Sequence, residues 1–513
     1  MKKFIAFLLA LSFPCMAYSL DFGSISPVDP LNNDNVNFYR QEIKLPSYNM
    51  KRALLSKNEL KNQYTIAMDK FIQSNVRSSY RDFRVLIDSV SPNDYVYMRL
   101  SDEMASIGFF NLSELAMSKI QDSEVSSLLE EDVKNFYYPS AHLTQKDQFY
   151  LAEMYSNIMY NDQSKEATSE LLKNSTLLME SDYANYLVAL GSMKSGNIEQ
   201  AKEYINKAIS KNQKNINYKR MKAEILASSD NPKEAMSCFD ELNTNEVNTV
   251  VFDKELRSSQ EYILYKSSKN EYLKKYHLAN YYYNKGELNK SMGVLQTSIS
   301  GKKNINKDVY ALTAQVYYDM QEFEKAQDYA LKSLNIDKSN FRALIIMGDI
   351  ASRNKDYTCA QNYYKKAYSH DENYVASVKL AKTYQKLNEI QKAKDIYSKI
   401  LKVSSKVYEA YYQMALYEKD REISYLKKAV AINPNFTDGW IDLARVKISS
   451  EDFENASLLL NIAKYIDPNN YRYYYYFGKV LQNKGLVAEA NKNFEHSLEL
   501  NPDFNLAKEE LSI

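Results

Sequence analysis

The side chains most often used in catalysis and metal binding are few and widely separated in this sequence. The chain has 513 residues, with only four histidines and three cysteines. The histidines are His142, His277, His370 and His496. None belongs to a zinc-binding motif, and no phosphate-binding glycine loop or nucleophilic serine motif is present. We therefore predict a protein that is not an enzyme, with no catalytic residue, metal site or cofactor.

Tyrosine is the residue whose abundance points to chemistry, and that chemistry is recognition. There are 45 tyrosines, some in runs such as Tyr281–Tyr283 and Tyr473–Tyr476. A tyrosine offers a large rigid contact area with a hydrogen-bonding tip, which suits a binding surface. Two further causes of this abundance stay open: Tyr, Asn and Lys all have A/T-rich codons, and many of the rings must fill a core.

The elements that would position these rings are clearest in Thr437–Phe504, which consists of two units of equal length laid end to end. Each unit has apolar or small residues at the same seven positions: Trp440, Leu443, Ala444, Ala456, Leu460, Ala463 and Pro468, then Tyr474, Phe477, Gly478, Ala490, Phe494, Ser497 and Pro502. The spacing predicts two helices per unit, with a turn at Gly485 and an end at Pro502. Small residues at Gly478 and Ala490 would let the two helices approach closely.

This pattern resembles the tetratricopeptide repeat, a helix–turn–helix unit of about 34 residues. The resemblance implies an all-α, right-handed superhelical solenoid of about ten helix pairs, in which stacked units share one core. The 11 glycines and 10 prolines sit mainly at predicted helix ends, as an all-helical chain requires.

The chain divides into seven predicted segments. They are a signal peptide (1–19), an extended leader (20–55), degenerate helical repeats (56–181), repeats (182–249), a connecting helical segment (250–271), further repeats (272–504) and a capping helix (505–513). We expect any bend of the solenoid to lie in the connecting segment. The unit that follows Met414-Ala415 is shortened, because Leu426 and Ala429 come about five residues early.

In the family, the first helix of each unit lines a concave groove, so the resemblance implies groove residues here. Tyrosines and basic residues fall on those positions: Tyr186, Tyr276, Tyr283, Tyr318, Tyr412, Tyr475, Arg342, Lys382, Arg445, Arg472 and Lys479. Together they could bind an extended or acidic peptide, or a polysaccharide. The net charge of +1 gives no general attraction to nucleic acid or an anionic membrane.

The first 19 residues have the pattern of a Sec-type signal peptide. Lys2 and Lys3 precede the apolar run Phe4–Phe13, and small residues follow at Ala17 and Ser19. Cleavage after Ser19 would leave an exported protein, periplasmic or secreted, without a transmembrane anchor. Cys238 and Cys359 would remain, and their separation along the solenoid makes a disulfide between them unexpected.

Two functions follow from these observations. The first is an exported, non-enzymatic scaffold that binds a protein or peptide partner in its concave groove within the cell envelope. The alternative is an accessory scaffold for polysaccharide export or glycan binding, in which aromatic and basic groove residues contact sugar acids.

The register of the last two units makes a testable prediction. Replacing Ala456 or Ala490 by Leu should overpack the helix interface and lower the free energy of unfolding by about 1–3 kcal/mol. Thermal unfolding of either variant measures this, and a midpoint equal to that of the wild type would show that the register is wrong.

Overall fold

The structure is a computed structural model that describes residues 57–90, 93–121, 123–228, 232–242, 250–300, 305–369 and 374–511. These residues form 28 α-helices and no β-strand. The fold is the predicted all-α, right-handed superhelical solenoid of helix–turn–helix repeats. The signal peptide, the leader and His370 lie outside the described residues. Within the described ranges, no helix combines the length and apolar character that crossing a bilayer requires.

Eight helices precede the regular array. They are α1 (Lys57–Ile72), α2 (Val76–Ser89), α3 (Asp94–Ser106), α4 (Phe110–Met117), α5 (Ser123–Tyr137), α6 (Gln145–Tyr160), α7 (Ser164–Lys173) and α8 (Ser175–Glu180).

The array itself begins at residue 182 and alternates first and second helices of successive units. Its helices are α9 (Asp182–Lys194), α10 (Ile198–Lys211), α11 (Ile216–Ser228), α12 (Pro232–Leu242), α13 (Val250–Ser267), α14 (Glu271–Asn284), α15 (Leu288–Ile299), α16 (Lys307–Asp319), α17 (Phe323–Ile336), α18 (Phe341–Arg353), α19 (Tyr357–Tyr368), α20 (Val375–Lys386), α21 (Ile390–Val403), α22 (Tyr408–Tyr417), α23 (Glu422–Ile432), α24 (Thr437–Ser449), α25 (Phe453–Ile466), α26 (Tyr471–Asn483), α27 (Val487–Leu500) and α28 (Asn505–Leu511).

In two of the pairs, a glycine of the first helix lies directly against the second helix. A Cβ atom added at Gly478 would lie 2.5 Å from the Phe494 ring, and one added at Gly348 would lie 2.4 Å from the Tyr364 ring. Such distances leave no room for a side chain, so an aromatic ring of the second helix packs on the backbone of the first. Ala490, at the same interface as Gly478, is fully buried, as is Ala456 in the preceding unit.

The turn between the two helices has the same backbone conformation in seven units. In these units of the array, the residue with positive φ is the second after the end of the first helix: Gly196, Gly286, Gln321, Lys355, Asn388, Glu451 and Gly485. Only three of the seven are glycine, which adopts this region without strain. The geometry of the unit therefore imposes the turn even on residues that adopt it at a cost.

Two units depart from this plan. The unit at 408–432 is short because α22 has only 10 residues and joins α23 through a 3₁₀ turn, Lys419–Arg421. Between α12 and α14 the chain inserts one extra helix, α13, which packs on α11, α12 and α14. Helix α13 is therefore additional to the regular pairs, although it packs closely on α14, and it lies at the segment where we expected a connection.

The N-terminal helices pack against the C-terminal units, which the sequence did not indicate. Helix α5 contacts α11 and α23, and α3 contacts α25. Tyr95 donates a hydrogen bond to Asn435 Oδ1 (2.5 Å), and Lys57 Nζ donates one to the Tyr465 carbonyl (2.6 Å). The Leu128 side chain packs beside the cluster that contains Tyr408. The two parts of the chain therefore share one hydrophobic core.

Helix α3 lies inside this core, because all 13 of its residues are buried. Its Glu103 accepts a hydrogen bond from the Tyr64 hydroxyl (2.6 Å). Burial raises the pKa of Glu103 to about 8, and the nearby Asp102 also raises it, while Tyr64 and Arg99 oppose the shift. A carboxyl group with this pKa keeps its proton in the folded protein at neutral pH.

This buried carboxyl group predicts a pH-dependent stability. Between about pH 4.5 and 8 the folded protein retains a proton that the unfolded chain releases, so the free energy of unfolding falls as the pH rises. Glu103→Gln stays neutral, and we expect its advantage over the wild type to grow from little at pH 5 to a few kcal/mol at pH 8. Thermal unfolding at both pH values measures it. The exposed Glu166→Gln is the control, and equal pH profiles for Glu103→Gln and wild type would contradict the prediction.

Candidate binding surface on the first helices

The first helices of the array lie side by side and form one surface, here called the first-helix face. Helix α14 contacts α16, α16 contacts α18, and α24 contacts α26. The reason is the stacking of the units, which places corresponding helices of successive pairs next to each other. Polar and aromatic side chains on this surface are linked from one unit to the next.

A buried carboxylate, Asp442, organises the C-terminal part of the face. It accepts hydrogen bonds from Arg472 Nη2 (2.7 Å), Arg445 Nε (3.0 Å) and the Tyr412 hydroxyl (2.8 Å). Arg472 also contacts Asp438 at 2.9 Å, and Arg445 pairs with Glu422. These pairs connect the first helices α22, α24 and α26, so the charges here serve the joining of three units.

The electrostatics of this cluster agree with its geometry. Burial alone would lower the pKa of Arg472, but Asp442 and Asp438 outweigh it and raise that pKa. Burial raises the pKa of Tyr412, and the neighbouring Asp442 raises it further. Both groups therefore keep their protons throughout the physiological range.

Two further carboxyl groups, those of Asp349 and Asp319, lie in the middle of the face. Asp349 accepts from Lys379 Nζ (2.7 Å) and from the Tyr364 hydroxyl (2.6 Å), which joins α18 to α20 and α19. Asp319 accepts from Gln315 Nε2 (3.2 Å), and burial raises the pKa of Asp319 to about 6, against the effect of hydrogen bonds from Tyr283 and Gln315.

Arg342 lies between this pair and α14. Its Nη1 donates to Asn280 Oδ1 at 3.3 Å, and its guanidinium interacts electrostatically with Tyr276 and Tyr283. Tyr276 and Tyr283 are half-buried, as is Arg342. This stretch of the face therefore combines aromatic rings with a cation and is partly open to solvent.

The eleven predicted groove residues fall into three groups. Those in the C-terminal part of the face, each bonded to a carboxylate of the chain, are Tyr412, Arg445, Arg472 and Lys479, the last with Glu510 at 2.8 Å. Those on the partly open stretch are Tyr276, Tyr283, Tyr318, Arg342 and Lys382, all half-buried.

The third group is enclosed, which corrects the expectation for Tyr186 and Tyr475. Tyr186 is fully buried and stacks between Tyr183 and Tyr218, with ring centroids 5.8 and 5.2 Å away. Tyr475 is 8% exposed, because its ring packs against Phe494 and the Phe504 that precedes the capping helix. Neither ring can offer a surface to a partner in this structure.

Sequence reasoning missed the acidic residues of the face. The spacing from Asp442 to Arg472 equals the spacing from Asp349 to Lys379, and it is slightly shorter than one unit. This equal spacing is a signal that could have paired each carboxylate with its cation. In the part of the chain that the structure describes, no group of three or more His, Cys, Asp and Glu residues is arranged to hold a metal ion.

Comparison with known proteins agrees with this architecture. Residues 184–215, 308–340 and 376–406 match the family model of the tetratricopeptide repeat, so the chain contains tetratricopeptide repeats. A search of curated protein sequences found no match.

Among solved structures, the chain is similar to the APC/C hetero-tetramer Cut9–Hcn1 (13% identity, 89% of this chain and 96% of that one, TM-score 0.44). It is also similar to yeast Tom70 (14%, 72% and 95%, TM-score 0.33) and to the MamA protein (26%, 34% and 96%, TM-score 0.26).

The Asp442 cluster predicts a local loss of stability when its charge is removed. Asp442→Asn leaves Arg445 and Arg472 without their shared partner, and we expect a loss of about 2–4 kcal/mol. Trp440, the single tryptophan, lies in the same helix and is buried, so its fluorescence during denaturation reports on this unit. Asp438→Asn is the matched control, since it is 41% exposed in its pair with Arg472, and should cost less than about 1 kcal/mol. Equal losses for both variants would contradict the assignment of Asp442 as the central group.

Proposed function

We propose that this protein is an exported, non-enzymatic scaffold that binds a protein or peptide partner on the first-helix face between α14 and α20. The tetratricopeptide repeat fold itself indicates protein–protein interaction, and such arrays are generally non-catalytic. The position of the site, the class of the partner and the export go beyond what the fold alone indicates.

The observation that carries the proposal is a row of half-buried aromatic and basic side chains on successive first helices. Tyr283 and Tyr318 occupy the same position in adjacent units, and Arg342 and Lys382 follow on the next two first helices. A half-buried tyrosine already has its ring held by neighbours, as Tyr318 is by Phe323 at 5.3 Å. It therefore loses little conformational entropy when a partner covers it.

Buried polar groups of the same helices hold the side chains of this row in place. Tyr283 hydrogen-bonds to Asp319, and Asp349 holds Lys379. Such contacts fix side-chain orientation before a partner arrives, which favours binding. An extended peptide crossing the first helices would meet one tyrosine or one cation per unit.

The glycan alternative is not favoured at the C-terminal part of the face, because the cations there are not available to sugar acids. Arg445, Arg472 and Lys479 are each paired with a carboxylate of the chain. A sugar acid would have to displace those partners and leave a carboxylate such as Asp442 buried and unpaired, which is costly.

Export rests on the N-terminal sequence alone. Lys2, Lys3 and the apolar run Phe4–Phe13 form the pattern that directs a chain to secretion. The partner would then be a protein of the periplasm or of the medium.

Site-specific photo-cross-linking in the native cell tests both parts. We expect benzoylphenylalanine in place of Tyr318 to give a discrete protein adduct, because this ring lies on the proposed contact surface. The matched control replaces Tyr368, which is 43% exposed on the second helix α19. The adduct should be absent there, and mass spectrometry of the cross-linked chain should show that residues 1–19 are missing. The same adducts from both positions, or none from Tyr318, would overturn the proposed surface; an intact Met1 would overturn export.

A further inference from the structure

An open cleft lies beside α14, at the end of the additional helix α13, and is separate from the first-helix face. The cleft has a volume of about 550 Å³ and lies between the end of α13, one side of α14 and α15. Its lining residues are Tyr265, Glu271, Lys274, Lys275, Leu278, Tyr282, Lys290, Gly293, Val294 and Thr297.

The cleft and the first-helix face use opposite sides of α14. Tyr276 and Tyr283 are seven residues apart and share one side, while Lys274, Leu278 and Tyr282 follow each other at four-residue intervals on another. At 3.6 residues per turn, Leu278 points about 200° away from Tyr276. A ligand in the cleft therefore does not compete for the tyrosines of the first-helix face.

The cleft lies where one additional helix, α13, interrupts the alternation of first and second helices. In later units, the first helix packs against the second helix of the preceding unit, as α18 does on α17 and α20 does on α19. Before α14 in the chain comes α13, which packs on another side of α14 through the contacts of Glu261 with His277 and of Tyr262 with Tyr281. Of α13, only Tyr265 near its end reaches the lining of the cleft. The remaining flank of α14, which a regular array would bury, borders the cleft.

The lining is basic and aromatic. Lys274 Nζ lies 5.5 Å from the centre of the Tyr265 ring, and Lys290 Nζ lies 5.5 Å from that of Tyr282. Lys290 is paired with Glu287 at 2.6 Å. Among the described residues, neither Lys274 nor Lys275 forms an ion pair, although both are half-buried. Two ammonium groups thus face the cleft without a carboxylate, and Glu271 is the acidic residue of the lining.

Gly293 is the second, independent sign of a binding site. It lies within α15, where glycine weakens a helix, yet a Cβ atom there would meet nothing within 4 Å. Packing therefore does not require glycine. At the corresponding position the other units carry side chains: Asp328, Asn362, Asp395, Leu458 and Lys492. The missing side chain leaves this wall of the cleft open.

We propose that this cleft binds an acidic peptide segment of a partner protein. Carboxylates of the segment pair with Lys274 and Lys275, and an apolar side chain packs against Tyr265, Leu278 and Val294. The volume lies within the range of ligand sites in proteins. The two unpaired cations select a negative ligand, and the aromatic walls select one that also carries an apolar group.

Fluorescence anisotropy with a labelled peptide, Glu-Asp-Leu-Phe-Asp-Glu, tests the proposal on the purified full chain. We expect saturable binding that weakens with salt, and at least about tenfold weaker binding of the neutral peptide Gln-Asn-Leu-Phe-Asn-Gln. Lys274→Glu combined with Lys275→Glu should weaken binding of the acidic peptide by about tenfold or more. Absence of binding to the wild type, or equal binding of the two peptides, overturns the proposal.

Two controls separate the cleft from general charge and from folding. Lys365→Glu combined with Lys366→Glu changes the net charge equally on α19, outside the cleft, and should leave binding unchanged; an equal loss there overturns the proposal. Gly293→Leu should block binding with an unchanged circular dichroism spectrum. Gly293→Ala should melt at or above the wild-type temperature, and a lower one would show that packing does require the glycine.

Discussion

The close approach of the two helices within each unit is the constraint on which the rest of the structure depends. At Gly348 and Gly478 an aromatic ring lies directly on the backbone of the facing helix. This contact fixes the distance and the angle between the helices of a pair, and through them the conformation of the turn. Lys355 follows Gly348 in the same unit, and there the chain keeps a costly positive φ in the turn that joins the two closely packed helices. Repetition of this pair aligns the first helices into one surface.

The packing of the N-terminal helices on the C-terminal units changes how such an array holds together. In a linear solenoid each unit contacts only its neighbours, and stability is a sum of local terms. Here α3 and α5 contact α25 and α23, so units far apart in the sequence share a core. The same core encloses Glu103, whose pKa is raised by burial, while the groups that act on it, Tyr64, Asp102 and Arg99, belong to the N-terminal helices.

The sequence predicts the helix pair, because the residues that form it recur at a regular spacing. The positions of Gly478, Ala490 and Phe494 recur once in every unit, and a periodic signal of this kind specifies a helix pair without knowledge of its neighbours. The pairing of α5 with α23 has no period and leaves no such signal. Arg472 was visible as a cation on a first helix, but its partner Asp442 belongs to the preceding unit, so only the register of two stacked units shows that its charge is already satisfied. Tyr186 is enclosed for a similar reason: its neighbours Tyr183 and Tyr218 come from the same and the next first helix.

Helix α13 shows how an irregularity creates accessible surface in a fold that otherwise buries it. In a strict alternation, each first helix is covered on one flank by the preceding second helix and presents another side to the first-helix face. The additional helix α13 packs on a different side of α14, so this flank lacks its usual cover, while α14 still pairs with α15 and contacts α16. The same helix then carries Tyr276 and Tyr283 on one side and Lys274 and Leu278 on the other. The insertion thus leaves a second accessible side on a helix that already belongs to the first-helix face.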